Sequence, residues 1–572
     1  MRSAAARDVL LILGLGLLIL AAGLGLRDPW PPDEPRFALI ARDMVESGRW
    51  LFPMRAGELY PDKPPLFMWL IGVCYALSGS LRFSFLLPSL MAGLLTLLLV
   101  YDLGRRLWTR ETGLAAALLL LATIQFPLHA RSGQIDAVLT FWTTLALYGL
   151  LRHLLSGPAW LSYGIAWIAA GLGIITKGVG FLPLLVFIPY GYARLRGWPK
   201  LFRTGSFRSL AGPVLLLLGV SVWLAPMLLA VHQNGSPVYL AYRDEILFGQ
   251  TAGRYVSPGG HIKPPWYYLV EVIPLYWLPL SVLLPWLVPH WAAQLGRKDA
   301  RLLLLLGWVV LVIVFFTLSP AKRAVYLLPA LPAAALAAGP YLSELIARHG
   351  VRRFAFALSI LATSLPALAL SYFRLIDPEA GDRIEAIHGI EPWLPVAAML
   401  VVFAVIVCAT RIRRAIAGFA GVLAAYWLLA GWWLMPAIDP AMSGAPFMAR
   451  VESLLEPDER LGIVRYKEKF ILHAARPVTT FGYRRPDIAT EFADAAAWLA
   501  RSSGRKLLVG QEGWRSCFSE AKAVPVGFES QREWFLIGRD DVQASCIARG
   551  DSMHAIGYAP RRLNSLAHGS SD

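Results

Sequence analysis

The feature that most constrains this chain is a series of long apolar runs along its first 436 residues. An α-helix needs about 20 apolar residues to cross the hydrocarbon core of a bilayer. The composition agrees, because 56% of the 572 residues are hydrophobic and only 16% are charged. That leaves too few charged side chains to cover the surfaces of the several soluble domains expected at this length. We therefore expect an all-α, polytopic membrane protein.

The number and orientation of the spans follow from where the positive charge lies. Thirteen runs are candidate spans: 9–26, 84–104, 112–128, 137–154, 160–176, 179–195, 210–231, 273–292, 302–318, 324–345, 354–373, 393–410 and 415–436. The shorter run Leu66–Gly79 is interpreted as an interfacial or re-entrant helix. With a cytoplasmic N-terminus, the inner loops then carry twenty basic and five acidic residues, or +15 of the net charge of +16. Such a bias marks cytoplasmic loops, so the charge indicates orientation in a bacterial inner membrane and not a nucleic-acid partner.

Thirteen spans place the loops 27–83 and 232–272 and the segment 437–572 on the periplasmic side. The C-terminal segment has mixed charge, with short apolar runs at 461–464, 507–509 and 534–537 between helix-like stretches. We expect a small periplasmic α/β domain there. Cys517 and Cys546 lie in this segment. An oxidising compartment would permit a disulfide between them, and two unpaired buried cysteines are the alternative.

The densest group of polar residues lies in the first periplasmic loop. Asp33-Glu34-Pro35-Arg36 follows two prolines, and Asp62-Lys63 lies in a Pro-rich turn. Asp33 can cap a helix that begins at Glu34 and ends before Gly48. Capping and solvated loop charge are therefore the simpler interpretation of the acidic pair. The neighbouring Arg36 and the Asp62-Lys63 turn favour a site at the membrane surface instead.

Two further charges border the hydrocarbon. Asp136 is the only carboxylate between Glu111 and Asp244, and Lys177 is the sole charge between two apolar runs. A charged group in such a position is costly unless it is paired or functional. An ion pair between Asp136 and Arg131, and snorkelling of Lys177, are the structural alternatives.

The remaining candidates lie at the ends of later spans. Arg254 and His261 belong to the second long loop, and Lys322 and Tyr326 lie at another outer mouth. Positive charge on this side runs against the sorting rule, and an anionic head group at the membrane surface would explain it. His261 could ligate a divalent metal together with loop carboxylates, although a solvated histidine is the common alternative.

Acids, cations, a histidine and a tyrosine thus share the outer face above apolar helices. This arrangement suits an amphiphilic ligand with a lipid tail and a phosphate head. Because nucleotide-activated sugars are cytoplasmic, an outward-facing transferase would need a lipid-carried donor.

The chain resembles the aminoarabinose transferases of lipid A and the related protein O-mannosyltransferase-like glycosyltransferases. The resemblance lies in five segments that occur in the family's order: Asp33-Glu34-Pro35-Arg36-Phe37-Ala38, Asp62-Lys63-Pro64-Pro65-Leu66, Thr176-Lys177-Gly178, 261–268 and 321–329. It implies a GT-C fold over residues 1–436 and a monomer. The implied reaction is inverting transfer of a sugar, best described as 4-amino-4-deoxy-L-arabinose, from undecaprenyl phosphate to lipid A or a related envelope acceptor.

The resemblance also implies roles for individual residues. The catalytic acids would be Asp33, Glu34 and Asp136. The ligands of the lipid phosphate would be Arg36, Lys63, Lys177, Arg254, Lys322 and Tyr326. A divalent ion such as Zn, Mg or Mn would bind Asp62 and His261, although relatives commonly have Glu at the position of Asp62. Around His261 this chain has Ser257-Pro258-Gly259-Gly260 where the aminoarabinose enzymes tend to carry Asp, Ala and Gln, a difference that bears on the sugar and the acceptor.

Three other functions fit the same pattern. One is transfer of another sugar, such as mannose, a hexosamine or a uronic acid, to protein or polysaccharide. The second is a flippase for a lipid-linked sugar, although transporters usually keep their charged groups near the bilayer midplane. The third is a non-catalytic subunit that docks through its C-terminal domain.

Overall fold

The computed structural model describes residues 2–202, 207–253, 260–483, 487–511, 516–519, 523–547, 550 and 555–559, and helices dominate it. Up to residue 453 the α-helices are Arg2–Leu20, Glu34–Ser47, Leu66–Ser78, Leu81–Ser84, Leu87–Leu107, Arg110–Ala122, Gln125–Ala130, Ile135–Ser156, Trp160–Ile174, Phe187–Leu195, Ala211–Asn234, Pro237–Asp244, Ile273–Tyr276, Leu280–Gly296, Ala300–Leu318, Leu331–Ala347, His349–Ser371, Pro378–His388, Trp393–Thr410, Ala415–Leu429, Met435–Met442 and Ala445–Ser453. Short 3₁₀ segments (Leu182–Val186, Phe207–Leu210, Ala324–Ala330, Ile412–Arg414) and π segments (Glu245–Gly253, Tyr268–Val272, Tyr372–Ile376, Ala430–Leu434) extend several of them.

Every predicted span overlaps one or more of these helices, but fewer of the helices are long enough to cross a bilayer alone. Within the described residues, eight helices have the length and composition of a span. A ninth results if the bent pair Tyr268–Tyr276 and Leu280–Gly296 is taken as one span. The chain is therefore a multi-pass membrane protein. The helix Leu66–Ser78 has 13 residues, so it is about 20 Å long and too short for the hydrocarbon core, as the sequence predicts.

The apolar helices divide into an inner and an outer group. In the helices Leu81–Leu107 and Ile135–Ser156, 67% of the apolar 18-residue stretch is buried inside the protein. The corresponding share is 11% in His349–Ile376 and 17% in Trp393–Thr410. Exposure of so many apolar side chains to water is unfavourable, so the outward faces of these helices require contact with lipid. The inner helices form the large hydrophobic core, which includes Leu97, Leu150 and Trp308.

The C-terminal region contains the predicted α/β structure. The strands are β1 (Met54–Arg55) and β2 (Glu58–Leu59) in the first loop, then β3 (Arg460–Ile463), β4 (Val478–Thr480), β5 (Arg505–Gly510), β6 (Val524–Glu529), β7 (Arg532–Ile537) and β8 (Ile556–Tyr558). The last six form one mixed sheet in the order β6-β7-β5-β3-β4-β8, in which β3 pairs in parallel with β4 and β5. The helices of this region are Glu468–His473, Ile488–Ala500 and Ala544–Ile547, with a 3₁₀ turn at Arg539–Asp541. The boundary predicted at 436/437 lies within the helix Met435–Met442, which directly follows the last apolar helix and its π segment.

A disulfide joins Cys517 and Cys546, whose Cα atoms are 5.4 Å apart. This is the first of the two alternatives that the sequence allows. Cys74 and Cys408 are free thiols in apolar helices.

The C-terminal region packs on the first loop. Arg42, in the helix Glu34–Ser47, donates to the carbonyl oxygens of Leu472 and Ile471 at 3.0 and 3.2 Å. Tyr483 donates its N–H to Glu58 and its hydroxyl to the carbonyl oxygen of Leu59, both at 2.9 Å. These contacts hold the C-terminal region against the helix Glu34–Ser47 and the strand β2 of the first loop.

Candidate active site

The acidic pair at the start of the helix Glu34–Ser47 is divided between two environments. Glu34 is 5% exposed and forms a two-point ion pair with Arg27, at 2.5 and 2.8 Å. It also accepts the backbone N–H groups of Trp30 and Gly133, each at 2.8 Å. Both carboxylate oxygens of Glu34 thus already accept hydrogen bonds from groups of the protein. Its predicted catalytic role stays a prediction, and the geometry favours a structural one.

Asp33 occupies the N-cap position of the same helix, but its side chain makes no capping hydrogen bond. The capping interpretation is therefore wrong for this carboxylate. One oxygen lies 3.4 Å from Arg36 Nη1 and the other lies 3.3 Å from Arg323 Nη2. Both distances are long for charge-assisted hydrogen bonds, and the side chain is 20% exposed. Asp33 therefore keeps acceptor capacity for a further partner.

Arg36 and Arg55 share one carboxylate of the C-terminal region. Glu468 Oε1 lies 2.8 Å from Arg36 Nε and 2.9 Å from Arg55 Nη2. Burial lowers the pKa of Arg36, but the carboxylate of Glu468 and the neighbouring Tyr60 outweigh it, and the net direction is upward. Burial raises the pKa of Tyr60 to about 12, so the phenol stays neutral. Arg36 is thus a permanent cation between two carboxylates from distant parts of the chain.

A second cluster forms around Asp136. Lys177 Nζ donates to Asp136 Oδ1 at 2.6 Å, and the same ammonium lies 4.8 Å from the ring centre of Tyr326. Arg131 is not the partner of Asp136, because its guanidinium donates to the carbonyl oxygens of Ile19, Ala22 and Trp427 at 2.8 to 2.9 Å. The structure therefore brings together three predicted site residues from three separate segments.

The two clusters adjoin each other. Gly133, which donates to Glu34, lies one turn before Asp136 in the loop that starts the helix Ile135–Ser156. A side chain at Gly133 would lie 2.6 Å from the ring of Phe85, so this close approach requires glycine. His129 lies within electrostatic range of Asp136, Lys177 and Arg323. The Asp33 and Asp136 clusters therefore lie next to each other, at the end where the helix Ile135–Ser156 begins.

The Asp62-Lys63 turn lies beside the second cluster. Leu66, just after the turn, donates its N–H to the carbonyl oxygen of Ile175 at 3.4 Å, two residues before Lys177. Both Asp62 and Lys63 are half-buried. This backbone contact joins the end of the turn to the segment that carries Lys177, and the role of Lys63 in binding the phosphate stays a prediction.

The other predicted ligands are placed differently. Lys322 is buried and donates its ammonium to the carbonyl oxygens of Ser319 and Lys263, at 2.6 and 3.2 Å. His261 is exposed, and its carbonyl oxygen accepts the N–H of Lys322 at 3.0 Å. Within the described ranges no three His, Cys, Asp or Glu side chains converge as a metal-ligand set. Asp62 and His261 as metal ligands stay a prediction. Arg254 lies outside the described residues.

Four charged residues of the site were not among the predicted ligands: Arg27, Arg55, Arg323 and Glu468. Arg323 follows Lys322 directly, so the sequence located the segment but not which of the two cations reaches the acids. Glu468 contacts Arg36 although the two residues are 432 positions apart in the sequence. No local sequence pattern predicts such a pair. Arg27 had a weak signal, since it is a basic residue at the outer end of the first span.

The chain is similar in sequence and in fold to membrane glycosyltransferases. The model of the dolichyl-phosphate-mannose-protein mannosyltransferase family matches residues 62–225. The fold matches crystal structures of ArnT from Cupriavidus metallidurans, both bound to undecaprenyl phosphate and in the apo state. The TM-scores are 0.70 and 0.73 at 21% identity, over 92% and 94% of this chain and 97% and 99% of the matched chains. The protein is thus a membrane-embedded glycosyltransferase with the GT-C fold.

Sequence relatives define the family within that class. An undecaprenyl phosphate-α-4-amino-4-deoxy-L-arabinose arabinosyl transferase of Pseudomonas fluorescens is 32% identical over 384 residues, or 65% of this chain and 67% of the relative. A Pseudomonas aeruginosa enzyme with the same description is 30% identical over 379 residues, or 65% of this chain and 66% of the relative. The chain belongs to this family of arabinosyl transferases.

Proposed function

We propose that this protein transfers 4-amino-4-deoxy-L-arabinose from undecaprenyl phosphate to lipid A or a related acceptor at the periplasmic face of the inner membrane. The observation that carries the proposal is the joint position of the Asp33 and Asp136 clusters at one end of the apolar helices. Two acids with adjacent cations suit a reaction in which a lipid phosphate leaves. The relatives' described activity supports the donor and the sugar.

The proposed orientation follows the charge distribution. Thirteen spans with a cytoplasmic N-terminus put the basic loops inside and both acidic clusters outside. The C-terminal sheet region is then periplasmic, and the disulfide between Cys517 and Cys546 agrees with an oxidising compartment. The enzyme acts as a monomer in this proposal.

In the proposed reaction the acceptor oxygen attacks C1 of the sugar from the face opposite the phosphate. The bond between C1 and the phosphate oxygen breaks, and its electron pair stays on the undecaprenyl phosphate. Lys63, Arg36 and Lys177 stabilise the charge that develops on this leaving group. A hydroxyl acceptor would give its proton to Asp33 or Asp136, whereas an acceptor that is already anionic, such as a lipid A phosphate, needs no base.

Asp33 is the stronger candidate for the base. Its two cation contacts are long and its side chain is partly exposed, as shown by the distances to Arg36 and Arg323. Asp136 instead holds Lys177 at 2.6 Å, and the same ammonium lies 4.8 Å from the ring centre of Tyr326. In this assignment Asp136 is a positioning residue for the phosphate-binding lysine.

The test is reconstitution of the full chain in lipid nanodiscs with undecaprenyl-phosphate aminoarabinose and lipid A. Mass spectrometry should detect lipid A that has gained one aminoarabinose. A parallel reaction with a mannose-carrying lipid and a protein acceptor tests the alternative that the mannosyltransferase family match suggests. If the protein acceptor gains the sugar and lipid A does not, the alternative replaces the proposed function. Movement of the donor across the bilayer with no transfer to either acceptor would contradict both.

A further inference from the structure

A cleft of about 630 Å³ lies between the first loop and the C-terminal region, and it adjoins the Asp33 cluster. Its ionisable lining consists of Arg36, Arg55, Lys467, Glu468, Lys469 and Glu529. Prolines of the first loop and apolar residues of the C-terminal region complete the walls. Charged side chains thus line a cleft that adjoins the proposed base, since Arg36 in the lining lies 3.4 Å from Asp33.

The cations in this lining outnumber the carboxylates. Lys469 and Glu529 neutralise each other in a buried pair at 2.6 Å. Glu468 is the only carboxylate left in the lining, and both Arg36 and Arg55 contact the same oxygen of it. With Asp33, which lies 3.4 Å from Arg36 and 3.3 Å from Arg323, two carboxylates face three guanidinium groups, so one positive charge remains on this side of the cleft.

Lys467 adds a second positive charge. It is half-buried, and in the described part of the chain its ammonium makes no hydrogen bond or ion pair. Burial lowers the pKa of Lys467, and the charge of Arg532 lowers it further, while Glu468 raises it. A partly desolvated ammonium among other cations is destabilising until an anion enters. Among the residues that the structure describes, none pairs with the ammonium of Lys467, which therefore stays available to a ligand.

We propose that this cleft binds a phosphate group of the acceptor lipid, with Lys467 and Arg55 as its ligands. The inference rests on the proposed function and extends it to the acceptor's side. Arg36 lines the cleft and lies 3.4 Å from Asp33, so an acceptor anchored there lies next to the proposed base. The donor phosphate is assigned to Lys63, Lys177 and Arg36, so the acceptor phosphate is held by different residues, Lys467 and Arg55.

Binding of lipid A tests this site without requiring turnover. The probes are diphosphoryl lipid A and the same lipid with both phosphates removed, titrated against the full chain in nanodiscs. In Lys467→Ala, the Kd for diphosphoryl lipid A should rise at least about 10-fold, the factor that loss of one charge-assisted hydrogen bond produces. Lys467→Arg should restore most of the affinity, because it keeps the charge. Arg501→Ala, which removes an exposed cation of the same region, should leave the Kd unchanged.

Each other outcome of the binding experiment contradicts the inference. An unchanged Kd in Lys467→Ala shows that the cleft does not hold the phosphate. An equal loss of affinity for the dephosphorylated lipid shows a structural role for Lys467. Equal competition by phosphatidylglycerol or by inorganic phosphate at the same concentration shows a site for any phosphate and not for the acceptor. If Lys467→Ala does not fold, Lys467→Gln takes its place.

Steady-state kinetics separate this inference from the proposed function. Lys467→Ala should raise the acceptor KM about 10-fold, while kcat and the donor KM stay within about twofold, because the lost contact is the same in the ground state and the transition state. Wild-type transfer with an unchanged acceptor KM in the variant would overturn the acceptor site alone. Lys467-dependent binding of diphosphoryl lipid A with no sugar transfer by the wild type would overturn the proposed function alone.

Discussion

The acidic residues 33 and 34 are neighbours in the chain, but the fold gives them opposite environments. Glu34 is buried and accepts from Arg27, Trp30 and Gly133 at 2.5 to 2.8 Å. Asp33 is partly exposed and has two cations at 3.3 to 3.4 Å. A carboxylate whose acceptor sites are all occupied holds structure together, and one with loose partners can still accept a proton or a ligand. The pair therefore shows how one short motif serves both the fold and the chemistry.

The largest expected effect is on catalysis at Asp33. Asp33→Asn keeps the size of the side chain and removes only its charge and basicity. If Asp33 is the base, kcat should fall about 100-fold or more, the usual contribution of a general base. The midpoint of thermal unfolding should change little, because both ion contacts of Asp33 are long. Transfer by reconstituted Asp33→Asn at the wild-type rate would remove Asp33 from the chemistry.

Glu34 should show the reverse pattern. Glu34→Gln leaves the buried guanidinium of Arg27 without a counter-charge, and breaking such a pair costs about 3–5 kcal/mol. We expect a lower yield of folded protein and a lower unfolding temperature in detergent, while the molecules that do fold retain transfer activity. Glu111→Gln is the control, because Glu111 is an exposed glutamate whose ion pair is loose. A stable but inactive Glu34→Gln would instead favour the catalytic role that the sequence predicts.

A smaller effect is expected where the C-terminal region contacts Arg36. Glu468→Gln weakens the hydrogen bond to Arg36 from a charged to a neutral one, a loss of about 1 kcal/mol, and should lower kcat/KM about fivefold. Glu452→Gln is the matched control, since Glu452 forms a comparable ion pair with Arg476 at 2.7 Å in the same region. Equal effects of the two substitutions would show that only the stability of the C-terminal region matters.

The smallest effect concerns pH. His473 lies 3.5 Å from Asp28 and joins the C-terminal region to the first loop. Burial lowers the pKa of His473 below its usual value of 6.5, although Asp28 opposes the shift. The folded state therefore favours neutral His473. The contribution of His473 to the stability of the fold is complete above pH 6.5 and is lost as the pH falls through the lowered pKa.

Thermal unfolding at pH 7.5 and pH 5.5 measures this contribution. The wild type should lose about 1 °C more than His473→Asn over this interval, because the effect of one group is small against the unfolding entropy of a long chain. An identical pH dependence in the two proteins would show that His473 does not link protonation to the contact between the two regions.

Much of the fold could be predicted because its signals are local. Apolar runs locate the helices, and all thirteen predicted runs overlap one. The short helix Leu66–Ser78, its neighbouring Pro-rich turn and three of the six strands of the C-terminal sheet, β3, β5 and β7, were also predicted. Helix lengths were less predictable, since breaks such as the one between Arg110–Ala122 and Gln125–Ala130 depend on packing between neighbouring helices.

The sequence predicts which segments contribute residues to the candidate site, but not which side chains contact each other. The motif around residue 322 is a site element, but Lys322 satisfies backbone carbonyls and Arg323 reaches Asp33. The partner of Asp136 is Lys177 and not the nearby Arg131. A sequence shows which charges occur near a membrane surface, whereas the direction of each side chain depends on the phase of its helix or turn in the folded protein.

The sequence by itself determined that the chain crosses a membrane several times, that its acids and a few cations collect at one end, and that it resembles lipid-phosphate sugar transferases. Those properties depend on hydrophobicity, charge and motif order, which follow directly from the order of residues along the chain. The tertiary structure alone decided which of two adjacent acids is anchored and that Glu468 reaches across 432 positions to Arg36. The physical reason is that pairing between distant charges depends on distances of a few ångströms, and these exist only after the helices and the C-terminal sheet have packed.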